Sequence, residues 1–168
     1  YLLSKGLLLS LGNGDFKILE LLSTAVKQMS EGELLQMEKS RNLNLSEKTY
    51  FEIIKGKTAS LLASACAAGA STTFTEAGAI EALRCFGENA GMAFQLKDDL
   101  FDYGKSLIGK PTGNDIKEQK LSLPLIYTIN NCDSKTRRKL LFTIKNENRK
   151  KERIEWVVKT VSEHGGIE

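Results

Sequence analysis

The feature that most limits the fold is the scarcity of helix breakers. Pro111 and Pro124 are the only prolines in 168 residues, so long stretches carry nothing that removes a helical hydrogen bond. No segment alternates apolar and polar residues with the period of two that a half-buried strand needs. With 41% hydrophobic but only 7% aromatic residues, the chain reads as an all-α helical bundle.

The punctuation along the chain divides it into helices. Gly12-Asn13-Gly14 makes a turn and Asp15 is placed to cap a helix in which Phe16, Leu19, Leu22 and Val26 recur at helical spacing, as far as about Arg41. Ser46 caps the next, where Tyr50, Ile53, Ile54, Lys57 and Leu61 share one face; small residues from Ala59 to Ala70 then let another helix approach closely. Thr73 or Thr75 opens a long helix to about Tyr103, with Gly104 in the position of a left-handed C-cap. An irregular stretch from Gly104 to about Leu121 follows, and such loops often carry function. Ser122 and Pro124, then Asp133 or Ser134, start two further helices, and a charged amphipathic helix runs from about Asn148 to Glu163.

Composition excludes several function classes. The balance of 24 Lys and Arg against 21 Asp and Glu gives a net charge of +3, too small and too mixed for a nucleic-acid surface. Cys66, Cys85 and Cys132 are widely spaced, which argues against a disulfide framework or zinc ribbon and reads as buried thiols of a reducing compartment. His164 is the only histidine, so Ser-His-Asp and Cys-His relays are discarded. No apolar run reaches the roughly 20 residues of a membrane span, and the opening residues lack the basic leader and cleavage site of a signal peptide.

Asp98-Asp99-Leu100-Phe101-Asp102 is the sharpest chemical feature. Spacings of three and four place its carboxylates near one face of a helix end, with Gln95 a turn earlier. Negative charge at a helix C-terminus opposes the macrodipole, so a divalent cation such as Mg²⁺ is one reason to gather it there. A solvated acidic face partnered by Lys97 and Lys105 is the alternative. The surrounding Ala90, Gly91, Met92, Ala93, Phe94 and Leu96 suggest a helix buried over much of its circumference, with Gly87 and Gly91 leaving a groove. Lys57, in line with apolar neighbours, needs an anionic partner unless it snorkels to the surface. Lys110, Lys117 and Lys120 lie beside Gly109 and Gly113, a basic, glycine-bearing loop suited to a Mg²⁺-bridged polyphosphate, although each lysine alone also fits a solvated surface charge. No Walker motif is present.

Phe94-Gln95-Leu96-Lys97-Asp98-Asp99-Leu100-Phe101-Asp102-Tyr103, then Gly109-Lys110-Pro111-Thr112-Gly113-Asn114-Asp115-Ile116 and Lys120-Leu121-Ser122-Leu123-Pro124, resembles the second aspartate-rich region of the trans-isoprenyl diphosphate synthases. Lys57-Thr58 is similar to that family's lysine-threonine pair, and Glu31-Gly32-Glu33-Leu34-Leu35-Gln36 resembles a helix motif of its longer-chain, octaprenyl- or solanesyl-type members. Gln119 stands where the family usually has Gly, and Ser122 where it usually has Thr.

The resemblance implies an all-α terpenoid synthase fold, incomplete here. Residues 1–168 would be the central and C-terminal part of one polyprenyl synthase domain, with the helices bearing the first aspartate-rich motif and the final C-terminal residues outside the sequence. It implies that Asp98 ligates Mg²⁺ directly and that Asp99 and Asp102 contribute directly or through water. Lys57, Thr58, Gln95 and Lys110 would contact the allylic diphosphate, with Lys120 close to it. The implied reaction is head-to-tail condensation of isopentenyl diphosphate with an allylic prenyl diphosphate in a cytoplasmic homodimer, giving a long trans-polyprenyl diphosphate. A short-chain farnesyl or geranylgeranyl diphosphate synthase, a non-catalytic subunit of a heteromeric synthase and a terpene cyclase are the rival readings.

Overall fold

The structure is a computed structural model and describes residues 1–42, 46–73, 76–104 and 112–168. Nine α-helices and one π-turn are found among them, and no strand: α1 (Leu2–Gly12), α2 (Phe16–Asn42), α3 (Glu47–Ile54), the π-turn (Lys55–Ala59), α4 (Ser60–Ser71), α5 (Ala77–Phe101), α6 (Asn114–Lys117), α7 (Leu123–Asn131), α8 (Ser134–Asn146) and α9 (Lys151–Glu163). Among the described residues no helix is long and apolar enough to cross a membrane.

The helix starts follow local chemistry. The Ser46 hydroxyl accepts the Thr49 amide at 3.1 Å and opens α3. Asp133 does the same for α8, accepting the amides of Lys135 and Thr136. Pro124 lies in the first turn of α7, where its missing N–H costs nothing. α5 begins only at Ala77, later than Thr73 and beyond Thr75, which lies outside the described residues. It ends at Phe101 without a left-handed Gly104; the glycine with positive φ near this loop is instead Gly113, at 79°.

The chain forms two compact units, Tyr1–Gln36 with Phe51–Gln95, and Met37–Tyr50 with Leu96–Glu168. In the first, the core is built of small side chains: Ala25, Ala59, Ala63, Ala67 and Ala70 are buried with Ile53 and Ile54. The expected close approach is present, because a Cβ added at Gly91 would sit 2.6 Å from the Cα of Ala59. α5 is nonetheless far from buried in its circumference. Phe86 and Phe94 are 65% and 64% exposed, so its apolar composition reflects one packed stripe plus an open apolar face.

The π-turn corrects the reading of the preceding face. Ile53 and Ile54 are buried, but Leu61, expected beside them, is 44% exposed. A wider turn at Lys55–Ala59 re-phases the helix, so that the alanines of α4 point inward in its place.

In the second unit α7, α8 and α9 pack together around Leu125, Ile126, Ile129, Leu140, Ile144, Val157 and Val161. Ile116 of α6, in a stretch expected to be wholly irregular, is fully buried. A side chain at Gly113 would strike Ile154, so both φ and space call for glycine there. The cysteines are free but not buried: Cys85 is exposed and Cys66 and Cys132 are half-buried.

Candidate active site

In the first unit the Lys57-Thr58 pair lies within the π-turn. The Lys57 ammonium finds the anion it needs on α2, with Glu33 Oε2 at 2.6 Å, and donates to Gln36 Oε1 at 2.7 Å. Both charged side chains are about 40% exposed, so solvent weakens their attraction. The Thr58 hydroxyl donates to Gln95 Oε1 at 2.9 Å, joining two residues singled out separately in the sequence. That bond occupies the amide oxygen of Gln95 and fixes which way its NH₂ group points.

The second unit holds the acidic cluster. Asp99 is 1% exposed, and the Tyr50 hydroxyl donates to its Oδ2 at 2.7 Å. Burial, reinforced by the neighbouring Asp99 charge, lifts the Tyr50 hydroxyl far above the usual tyrosine range. Lys120 lies 3.8 Å from Asp99 Oδ1 and donates to Asp115 Oδ1 at 3.1 Å. Burial works against the Lys120 charge, but Asp115 and Asp99 outweigh it and hold its pKa above the ordinary lysine value. Asp115 is itself pushed up to about 6 by burial, with Lys120 opposing and Asp102 and Asp99 adding to the rise.

Asp102 falls just past the end of α5. Its Oδ1 accepts the amide of Asn114 at 2.9 Å and its Oδ2 that of Asp115 at 3.1 Å, so it caps α6. Burial raises its pKa and these amide bonds oppose the rise. Asp98 is half-buried on the last turn of α5. Among the described residues no three carboxylate, imidazole or thiol groups are gathered into a ready metal cage. This donor set still suits Mg²⁺, which takes only one or two carboxylates and keeps waters and phosphate oxygens in its octahedral shell.

The two departures from the family pattern have physical outcomes. Ser122 keeps the hydroxyl and pairs it with the Tyr103 hydroxyl at 2.7 Å in the core. Gln119 takes φ 57°, the left-handed conformation that glycine adopts without strain, and its amide donates to Lys145 O at 3.2 Å. Lys110 lies outside the described residues.

The residues not anticipated are those that hold the others. Glu33, Gln36, Tyr50 and Asp115 each bond to a side chain already singled out. Glu33, Gln36 and Asp115 stand inside recognised motifs, and a tyrosine buried by its helix pattern must pair its hydroxyl.

The model of the family described as polyprenyl synthetase matches residues 1–161. The chain belongs to that family, which comprises prenyltransferases. It is 35% identical over 118 residues to an octaprenyl diphosphate synthase of Escherichia coli, covering 69% of this chain and 36% of that protein. Among solved structures, a geranylgeranyl pyrophosphate synthase from Bacteroides thetaiotaomicron superposes with a TM-score of 0.88 at 36% identity, covering 99% of this chain and 56% of the other. A polyprenyl synthase from Caulobacter crescentus, complexed with calcium and isoprenyl diphosphate, gives 0.83 at 37% identity, covering 90% and 47%. The all-α fold is thus that of the isoprenoid synthases. The chain spans about half the length of curated relatives it matches.

Proposed function

We propose that the protein carrying this chain is a Mg²⁺-dependent prenyltransferase that condenses isopentenyl diphosphate head-to-tail with an allylic diphosphate. The observation that carries this reading is Lys120 held between Asp99 and Asp115 beside Asp98. Such costly charges on an apolar scaffold have a purpose if an anion and its metal are bound there. The complex of the Caulobacter relative, with a divalent cation and an isoprenyl diphosphate, supports it.

On this reading Asp98 would hold the metal directly, with Asp99 and Asp102 contributing directly or through water. When bound, the ion neutralises charge on the departing diphosphate. Lys57, Lys110 and Lys120 donate to the diphosphate, and Thr58 orients Gln95 toward it. The double bond of isopentenyl diphosphate attacks the allylic cation, and the released diphosphate accepts the proton, so no side-chain nucleophile or histidine base is needed.

A long product is the expected one, from the Glu31-to-Gln36 motif; the likeness to a geranylgeranyl pyrophosphate synthase favours a short product as the second reading. We assign the chain to the central and C-terminal part of one synthase domain in a cytoplasmic homodimer. Incubation of the intact protein with Mg²⁺, an allylic diphosphate and labelled isopentenyl diphosphate tests the activity. Chromatography of the products separates long from short chains, and absence of any elongated product would refute the reading.

A further inference from the structure

A lysine on a flexible four-carbon stem is a poor ligand until its rotamers are fixed, and Lys57 stands on a half-exposed turn. Its surroundings supply that fixing from another helix. Glu33 and Gln36 are three residues apart on α2 and therefore share a face. Their side-chain oxygens lie 2.6 and 2.7 Å from the Lys57 ammonium. The backbones beneath are in contact: a Cβ on Gly32 would sit 2.7 Å from the Lys57 amide nitrogen. The reach from α2 to the ammonium is thus set by backbone packing. An ammonium has three N–H groups, and fixing two fixes the direction of the third. Glu33 and Lys57 border a shallow, open surface depression of about 500 Å³ together with Met29, Ser30 and Leu34.

We infer that Glu33 and Gln36 are positioning residues that hold the Lys57 ammonium so that its third N–H is presented to the diphosphate. The inference rests on the function proposed above. Preholding the lysine removes an ordering cost that diphosphate binding would otherwise carry. It predicts an effect on substrate affinity greater than on the chemical step.

Kinetics of the intact protein, with allylic diphosphate varied at saturating isopentenyl diphosphate, test it. Glu33→Ala should raise KM about tenfold and change kcat by less than about threefold, the scale of one hydrogen bond to a charged group. Glu33→Gln, which keeps an acceptor, should restore most of the loss. In a Lys57→Ala background Glu33→Ala should add nothing. An unchanged KM overturns the inference, as does a lowered KM, which would mean that Glu33 merely masks the lysine's charge. Equal losses in both backgrounds also overturn it. If the wild-type protein transfers no prenyl group, the functional reading fails instead. Calorimetric binding of inorganic pyrophosphate with Mg²⁺ then decides the positioning role: about tenfold weaker binding by Glu33→Ala sustains it, and equal binding overturns it.

Discussion

Lys57 and Lys120 are the same residue held by two different kinds of environment. Lys57 pairs with Glu33 across a surface where both are about 40% exposed, whereas Lys120 faces an Asp99 that is 1% exposed and an Asp115 that is 14% exposed. A half-solvated pair is worth little to stability, so its service is geometric. A carboxylate buried as deeply as Asp99 depends on its partners, because removing them strands its charge away from water. The first arrangement tolerates change and tunes a position; the second makes the acidic cluster part of the fold itself.

Four measurements test that contrast. The largest is expected in turnover. Asp98→Ala should lower kcat about hundredfold or more while far-ultraviolet circular dichroism stays unchanged, against about tenfold for Thr58→Val in the first unit. Equal losses would erase the difference between the regions. Next is stability: Asp99→Ala removes the carboxylate that accepts from the buried Tyr50 hydroxyl and one of the two that face Lys120, and should cost about 3 kcal/mol in denaturant unfolding, where Glu33→Ala should cost less than about 1.

The third concerns pH. Asp115 has a folded pKa raised from 3.8 to about 6, so the folded state binds its proton more tightly than the unfolded state does. Its stabilising contribution is complete below about pH 4 and is lost as pH rises to about 6. Thermal midpoints should therefore fall over this interval through this group, and Asp115→Asn should flatten that part of the profile. The smallest is Gln119→Gly, which relieves a left-handed residue but gives up an exposed hydrogen bond to Lys145; a net gain of about 0.5 kcal/mol is expected by denaturation.

Much of the fold could be read from local rules, because helix period and caps are written in neighbouring residues. Ser46 and Asp133 cap where a hydroxyl and a carboxylate were expected to. The π-turn at Lys55–Ala59 was not legible, since one extra residue in a turn leaves no mark in composition, yet it decides where Lys57 and Leu61 face. Nor was the openness of α5: Phe94 stands among apolar residues in sequence, and only packing says whether anything covers it. Within the candidate site, the pairing of Thr58 with Gln95 and the engagement of Asp102 by the amides of Asn114 and Asp115 depend on contacts distant in the chain. Periodicity cannot rank three carboxylates by what each of them touches.

The close seat of Gly32 against the Lys57 amide makes the position of that lysine adjustable through packing alone. Volume, not charge, governs the spacing between α2 and the π-turn there, since even a methyl group would meet backbone at 2.7 Å. Gly32→Ala would act as a shim, displacing the ammonium by tenths of an ångström while leaving every polar group chemically intact. It offers a mechanical adjustment of where the Lys57 ammonium sits that substitutions within the charged residues themselves cannot provide.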